Sequence, residues 1–444
     1  MPSVRSGSRV RRPVPVSGTL QQLGHRIRRA RVDAGLSQAQ LGTPHFTRAY
    51  VSAIELGKVR PAMKSLEFLA DKLGKPVSFF VADEEADRRR DERILQLARA
   101  NQLVAEGRAR EAIGLIEPLL ASATTSSERA DLQRGLGRAL REAGINGPAV
   151  AALSDAIQIF KVLGDREQLA RAHGELGACL VQLMSFGEAE AELEQALVAI
   201  SKGDLVDPVA KVHVLYNLGL CAYGRGDFRT ALDHFQRAEQ EGSDIGDPKW
   251  LGSLFAAIGM SRQETGDFES AVMYLRRSET LFESINNRVR ASEIKFQTAI
   301  ALRALGHKTK SNETYAAALA GARASGHVPL AIRIGTALAL AMAEDGDYDD
   351  AVARAEGVVM DADATGESTL RVVARFALGR ALRKVDSGRA EQVLRDGAAI
   401  IEHLPSNRMF AELYVELSEV LAENGLSDDA LNYSRRAYLA TRQR

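Results

Sequence analysis

The sequence predicts an all-α protein: a small five-helix head followed by a right-handed superhelical solenoid of about nine helix-pair repeats. Three observations carry this. Aromatic residues make up only 5% of the 444 positions, with a single Trp, which disfavours a β-sandwich and suits stacked helices. Small residues recur at Ala100, Gly137, Gly177, Gly219, Gly259, Ala299, Ala339, Gly379 and Ser418, spaced 37 to 42 residues apart. The charge is also unevenly divided. The chain has 58 basic and 58 acidic residues, yet residues 1–75 hold fourteen basic and four acidic ones, +10. The remainder holds 44 basic against 54 acidic, −10. A basic head on an acidic body implies a nucleic-acid partner for the head alone.

The elements follow in chain order. Residues 1–18 carry arginines and prolines without periodicity and are expected to be a disordered basic arm. They have no apolar core of the kind a secretory leader needs, no apolar run reaches the ~18 residues of a membrane span, and a cytoplasmic location is expected. A helical domain is expected over 19–81. Leu20, Leu23, Ile27, Ala30 and Ala34 recur at three- and four-residue steps, and Gly35 ends that helix. Ser37 caps a short helix through Leu41. After a turn over 42–46, Thr47 caps a third helix to Leu56, closed by Gly57. Pro61 precedes a fourth helix with apolar face Leu66, Leu69, Ala70 and Leu73, and Val77, Phe79 and Phe80 are expected to close the core.

The segments "RARVDAGLSQAQL", "FTRAYVSAIELGKVRP" and "LEFLADKLGKP" resemble the lambda-repressor/Cro-like (XRE) helix-turn-helix family over about 20–81. One departure is a helix 2–3 turn about a residue shorter than usual and containing Pro44. The resemblance implies a third helix in the major groove of double-stranded DNA. Arg48, Ala49, Ser52 and Ala53 then lie along its reading face, and the Arg48 fork suits guanine O6 and N7. Gln38 and Thr47 are implied to fix register on phosphates, with Lys58 and Arg60 adding charge. The family also pairs an Arg ending helix 1 with a Glu ending helix 3, here Arg31 and Glu55.

Residues 82–92 are highly charged and are expected to link the head to the body, continuing as a helix into Leu97, Ala100 and Leu103. Over 93–444 each unit reads as helix A, a Gly turn, helix B and a second turn. An Ala follows the small residue twelve positions on at Ala112, Ala149, Ala189, Ala231, Ala271 and Ala351, becoming Ser311 in the sixth unit. It shifts by one to Ala390 and returns as Ala430. Small residues are required there because larger ones push the two helix axes apart. "RGDF", "TGDF" and "DGDY" mark the turns at 225–228, 265–268 and 345–348. These units resemble tetratricopeptide repeats, whose A helices line a groove. Mapping helix A onto the repeat directs Arg134, Arg138, Arg141, Arg171, Glu175, Gln182, His213, Tyr216, Asn217, Phe296, Gln297, Arg303, Arg333, Arg380 and Arg383 toward it. The guanidinium forks suit carboxylates, and Asn217 and Gln297 suit a peptide backbone.

Cys179 and Cys221 fall at equivalent positions of adjacent repeats and are expected to pack as small core residues. The eight histidines show no ligand spacing, and neither a Walker loop, a GxGxxG after a strand nor a GxSxG is present, so no metal, cofactor or enzymatic activity is expected. A DNA-binding head on such repeats resembles the RRNPP peptide-sensing quorum regulators. That resemblance implies a homodimeric transcriptional regulator whose effector, foremost a short peptide, changes dimer geometry and DNA binding. Two other readings stay open: control by a partner protein or small molecule, and an interaction scaffold whose head does not read DNA.

Overall fold

A computed structural model describes residues 20–81, 84–402, 404 and 410–442. The expected basic arm over 1–18 lies outside these. The described residues are helical throughout their regular structure, with no strand among them. Two compact units divide between Thr124 and Thr125.

The first unit opens with α1 (Leu20–Asp33), α2 (Gln38–Gly42), α3 (Arg48–Glu55), α4 (Met63–Lys72) and α5 (Val77–Val81). Their core is Leu23, Ile27, Ala30, Leu41, Val51, Ile54, Leu66, Leu69, Ala70, Leu73 and Phe80. Three sequence expectations need correction. Leu20 and Ala34 lie on the surface, because the periodic pattern runs past the part of α1 that is covered. Phe79 is 42% exposed while Phe80 takes the core position, and the Lys75 ammonium sits over the Phe79 ring instead. Two glycines let α1 approach α3 closely. A Cβ on Gly24 would lie 2.4 Å from the Ile54 carbonyl oxygen, and one on Gly57, at φ +67°, would meet the Gln21 backbone at 2.9 Å. The unit ends with α6 (Glu84–Ala105) and α7 (Ala109–Ala121), so the charged stretch over 82–92 is helical from Glu84 onward.

The second unit holds eight helix pairs. They begin with α8 (Ser126–Glu142) and α9 (Asn146–Leu163), α10 (Arg166–Gln182) and α11 (Phe186–Ser201), and α12 (Pro208–Gly224) and α13 (Phe228–Glu241). Next come α14 (Pro248–Glu264) and α15 (Phe268–Ser284), then α16 (Arg288–Ala304) and α17 (Lys308–Ala324). The last are α18 (Val328–Asp345) and α19 (Tyr348–Thr365), α20 (Ser368–Leu382) and α21 (Ser387–Ile401), and α22 (Ala411–Glu423) and α23 (Ser427–Arg442). With α6 and α7 this makes nine pairs among the described residues.

The recurring small residue sits where each A helix meets its B helix. A Cβ on Gly137, Gly177, Gly219 or Gly259 would lie 2.4–2.8 Å from Leu153, Leu193, Phe235 or Leu275, and one on Gly379 would lie 2.4 Å from Leu394. The steric partner is thus a large side chain fifteen or sixteen residues on. The residue twelve on, an Ala in most units, contributes backbone, as at Ala149, whose carbonyl lies 3.2 Å from the same point over Gly137. Ser311 fits because its buried hydroxyl donates to the Ala299 carbonyl at 2.8 Å. The Gly-Asp-aromatic turns have a local cause: Gly226 and Gly266 adopt φ near +80°, and the next Asp accepts a backbone N–H of the following helix. Cys179 and Cys221 are buried and free, and burial pushes the Cys221 thiol up to about 11. No helix among the described residues is long and apolar enough to cross a membrane.

Candidate functional site

Two surfaces carry chemistry, one in each unit. In the first, Ser37 and Gln40 close α2 with a reciprocal capping box, and Thr47 caps α3 by accepting from the Tyr50 N–H at 3.2 Å. Val51, Ile54 and Glu55 turn inward, leaving Arg48 and Ala49 exposed and Ser52 and Ala53 half-exposed on the opposite face. Lys58 and Arg60 lie just beyond, also exposed.

The Arg31–Glu55 pair fixes this helix. Arg31 Nε and Nη2 donate to the two Glu55 carboxylate oxygens at 2.6 and 3.1 Å, and Nη1 donates to the Leu36 carbonyl at 2.7 Å. Glu55 is only 7% exposed, and the hydrogen bonds that Arg31 donates to it raise the Arg31 guanidinium above its ordinary value against the cost of burial. Gln38 has a partner here as well: its amide donates to Glu55 at 2.8 Å. One carboxylate therefore ties the end of α3 to α1 and α2.

In the second unit, α8, α10 and α12 together wall a cavity of about 290 Å³. Each presents residues one helical turn apart: Arg138 and Arg141 on α8; Ala170, Arg171, Gly174, Glu175 and Ala178 on α10; Val209, Ala210, His213, Val214 and Asn217 on α12. Leu205 and Asp207, in the turn before α12, complete it. The small residues Ala170, Gly174 and Ala178, four apart, leave the space open.

The charges in this cavity are not equally engaged. Arg171 donates to Asp207 at 2.7 Å and to Glu167 at 3.0 Å. Asp207 also caps α12. Burial works to raise its carboxyl, but the Ala210 N–H and Arg171 override this and hold it below the usual range. Glu175 accepts from Arg134 at 2.8 Å, while its other oxygen is buried without a partner. Arg141 pairs with Glu142 through Nη2 and leaves a buried Nε unsatisfied. Arg138 has no hydrogen bond or ion pair among the described residues. His213 is surrounded by protein yet reachable from the open cavity, and burial, then Arg141 and Arg138, push its imidazole below the ordinary value. Asn217 donates its amide to the His213 carbonyl at 2.7 Å.

Of the residues expected in a groove, the structure brings together Arg138, Arg141, Arg171, Glu175, His213 and Asn217 around this cavity. Gln182 is exposed outside it. Tyr216 turns onto Phe235, with ring centres 5.8 Å apart. Phe296 packs against Tyr315 with the Arg333 guanidinium above its ring, and Gln297 is half-buried on the same helix. Arg303 is engaged by Glu344, Asp345 and the Ala341 carbonyl, and Arg383 by Glu416, Glu419 and Glu423. Asp207, Ala170, Gly174 and Ala178 were not singled out by sequence; their signal is the small-residue spacing on α10 and an Asp before a Pro at a helix start.

A family model described as helix-turn-helix matches residues 27–80, and one described as tetratricopeptide repeat matches residues 213–241. The chain carries a helix-turn-helix domain and a tetratricopeptide-repeat solenoid. Neither matched family is a catalytic domain. No curated protein matches the sequence significantly. Among solved structures, apo RapI is 13% identical and shares the fold at a TM-score of 0.61, covering 79% of this chain and 97% of its own. A Rap protein complexed with competence and sporulation factor is 12% identical, with a TM-score of 0.51 and coverage of 79% and 97%. Bacillus thuringiensis PlcR, solved with the peptide PapR7 and DNA, is 18% identical over 60% of this chain and 96% of its own, with a TM-score of 0.38.

Proposed function

We propose that the chain is a sequence-specific transcriptional regulator whose tetratricopeptide repeats bind an effector, with a short peptide as the favoured class. The observation that carries this is the pairing, in one chain, of a helix-turn-helix with a small, exposed reading face and a repeat cavity containing an unpaired arginine. Arg48 reads a base, Ala49, Ser52 and Ala53 allow close approach, and Thr47, Lys58 and Arg60 lie beside the phosphates. The Rap relative solved with competence and sporulation factor supports a ligand for repeats of this fold. The chain acts as a homodimer, and the effector favours one arrangement of the two heads over another. To move that equilibrium appreciably it must discriminate between the arrangements by a few kcal/mol.

The test is selection of binding sites from random DNA with the full-length protein at moderate salt. Two related half-sites are expected; no enriched sequence would overturn the reading. Arg48→Ala is expected to cost about 1–3 kcal/mol and to relax one base position in each half-site. A uniform loss across all sequences would make Arg48 a phosphate contact instead.

A further inference from the structure

The Arg31–Glu55 pair holds one end of α3. Arg48 and Ala49 belong to the other end, about 10 Å along the axis from Glu55. That first turn has a fastening of its own, built from aromatic rings in the preceding turn and on α4. The Phe46 ring lies 5.0 Å from the Tyr50 ring and meets Phe68 of α4 edge-on at 5.5 Å. His45 packs edge-on against the same Phe68 ring at 4.8 Å. Lys72, one helical turn further along α4, sits over Phe68 at 5.4 Å and donates to the Thr43 carbonyl.

Phe46 and Tyr50 flank Arg48 in the chain, so these ring contacts bracket the exposed arginine. The backbone of the turn is tied back to α2, with the His45 and Phe46 N–H groups donating to the Gly42 carbonyl at 3.0 and 2.7 Å. Those bonds fix where the turn begins, and the direction in which α3 leaves it depends on side chains. Phe68 is suited to fix that direction. Its helix is anchored in the core by Leu66, Leu69, Ala70 and Leu73, while its own ring is half-buried at the rim. Edge-to-face ring pairs have a preferred geometry, which an aliphatic side chain of similar size does not supply.

We propose that Phe68 is a positioning residue for DNA reading: through Phe46 and Tyr50 it holds the first turn of α3, and with it Arg48, in the direction that base recognition needs. The inference rests on the regulator reading above for the role of Arg48. It adds α4, which carries none of the reading residues, to the determinants of specificity.

Two measurements on the full-length protein test this, using Phe68→Leu, Phe68→Tyr and Lys72→Met. The first is hydrogen–deuterium exchange without DNA. His45, Phe46, Tyr50 and Val51 donate their amides to Gly42 and Thr47, and Leu56, Gly57 and Lys58 donate theirs at the far end of α3. Phe68→Leu should speed exchange of the first set about three- to tenfold and leave the second set unchanged. Lys72→Met, which removes the donor to Thr43, should act in the same direction by a smaller factor. Unchanged exchange in both variants, or equal acceleration at both ends of α3, overturns the inference.

The second measurement compares affinity for the selected operator with affinity for the same operator altered at the base that Arg48→Ala relaxes. A head that is merely less stable loses affinity for both DNAs alike and keeps their ratio. Displacement of Arg48 lowers the ratio, by about three- to tenfold in Phe68→Leu. Phe68→Tyr keeps the ring and should keep the ratio. An unchanged ratio in Phe68→Leu overturns the inference. If exchange responds as expected but the parent selects no operator, the hold of Phe68 on α3 stands and the regulator reading fails.

Discussion

Two glycines on α10, three residues apart, should respond oppositely to the same substitution. At Gly177 a new Cβ would lie 2.5 and 2.7 Å from Cγ and Cδ2 of Leu193, and 3.2 Å from the Ala189 carbonyl oxygen. Leu193 is completely buried, so its side chain has no free volume to enter, and the carbonyl belongs to the backbone of α11. At Gly174 the nearest atoms would be Val214 Cγ2 at 3.4 Å and Ala196 Cβ at 3.8 Å, ordinary contact distances. Replacing a mid-helix Gly by Ala gains about 1 kcal/mol of helix propensity at either position. Only Gly177→Ala also incurs overpacking, which costs about 1–3 kcal/mol. Gly174→Ala should therefore stabilise by about 0.5–1 kcal/mol, and Gly177→Ala should destabilise by about 1 kcal/mol. Urea unfolding of the full chain, followed by helical circular dichroism, separates them as midpoints on either side of the parent. Adding Leu193→Ala to Gly177→Ala should lose less than the sum of the single changes. If both glycine variants move the same way, the small residue is not set by the helix–helix approach, and the steric account of the 40-residue period fails.

The buried Arg31–Glu55 pair gives a second prediction: Arg31→Met strands the carboxylate and should cost the head about 3–5 kcal/mol. Operator binding should then be lost while the helical signal of the repeats persists; retained operator affinity would refute it. Hydrogen bonds from Arg303 hold the Asp345 carboxyl down to about 2, below the ordinary value of an aspartate, so its stabilisation is present above about pH 4 and lost as pH falls toward 2. Discounted for screening, Asp345→Asn should cost roughly 1–2 kcal/mol at pH 6, and this difference from the parent should shrink on acidification below pH 4. Met184 holds φ +58° at the turn where neighbouring repeats place Gly226 and Gly266, and it is mostly exposed. Met184→Gly should stabilise the chain by about 0.5–1 kcal/mol, read as a higher urea midpoint, and a lower midpoint would refute the strain.

The repeat architecture was legible because its cause is local. A small residue, a Gly that permits positive φ and an Asp that caps the next helix all act within about twenty residues. The large residue fifteen or sixteen positions after each glycine was equally present in the sequence, as Leu153, Leu193, Phe235, Leu275 and Leu394. The Ala twelve residues on has the same period and masks it in the sequence, although only its backbone reaches the contact. In the head, the Arg31–Glu55 pair was readable from the family pattern, whereas the close approach of Gly24 and Gly57 to other elements was not, since nothing local marks a helix crossing. The groove was half legible. Helical spacing tells which residues share a face, but whether an arginine on that face is available depends on an acid one repeat away. Asp207 for Arg171, Asp345 for Arg303 and Glu416 for Arg383 lie 33 to 42 residues downstream.

That dependence also orders the arginines by what they do. Arg171, Arg303 and Arg383 reach from one A helix toward the acid of the next repeat, so they act as ties between repeats. Arg138 occupies a corresponding face of α8 and lacks such an acid among the described residues. These pairs add a charge-dependent tie to the apolar packing of neighbouring repeats, and at Arg138 such a tie is absent among the described residues.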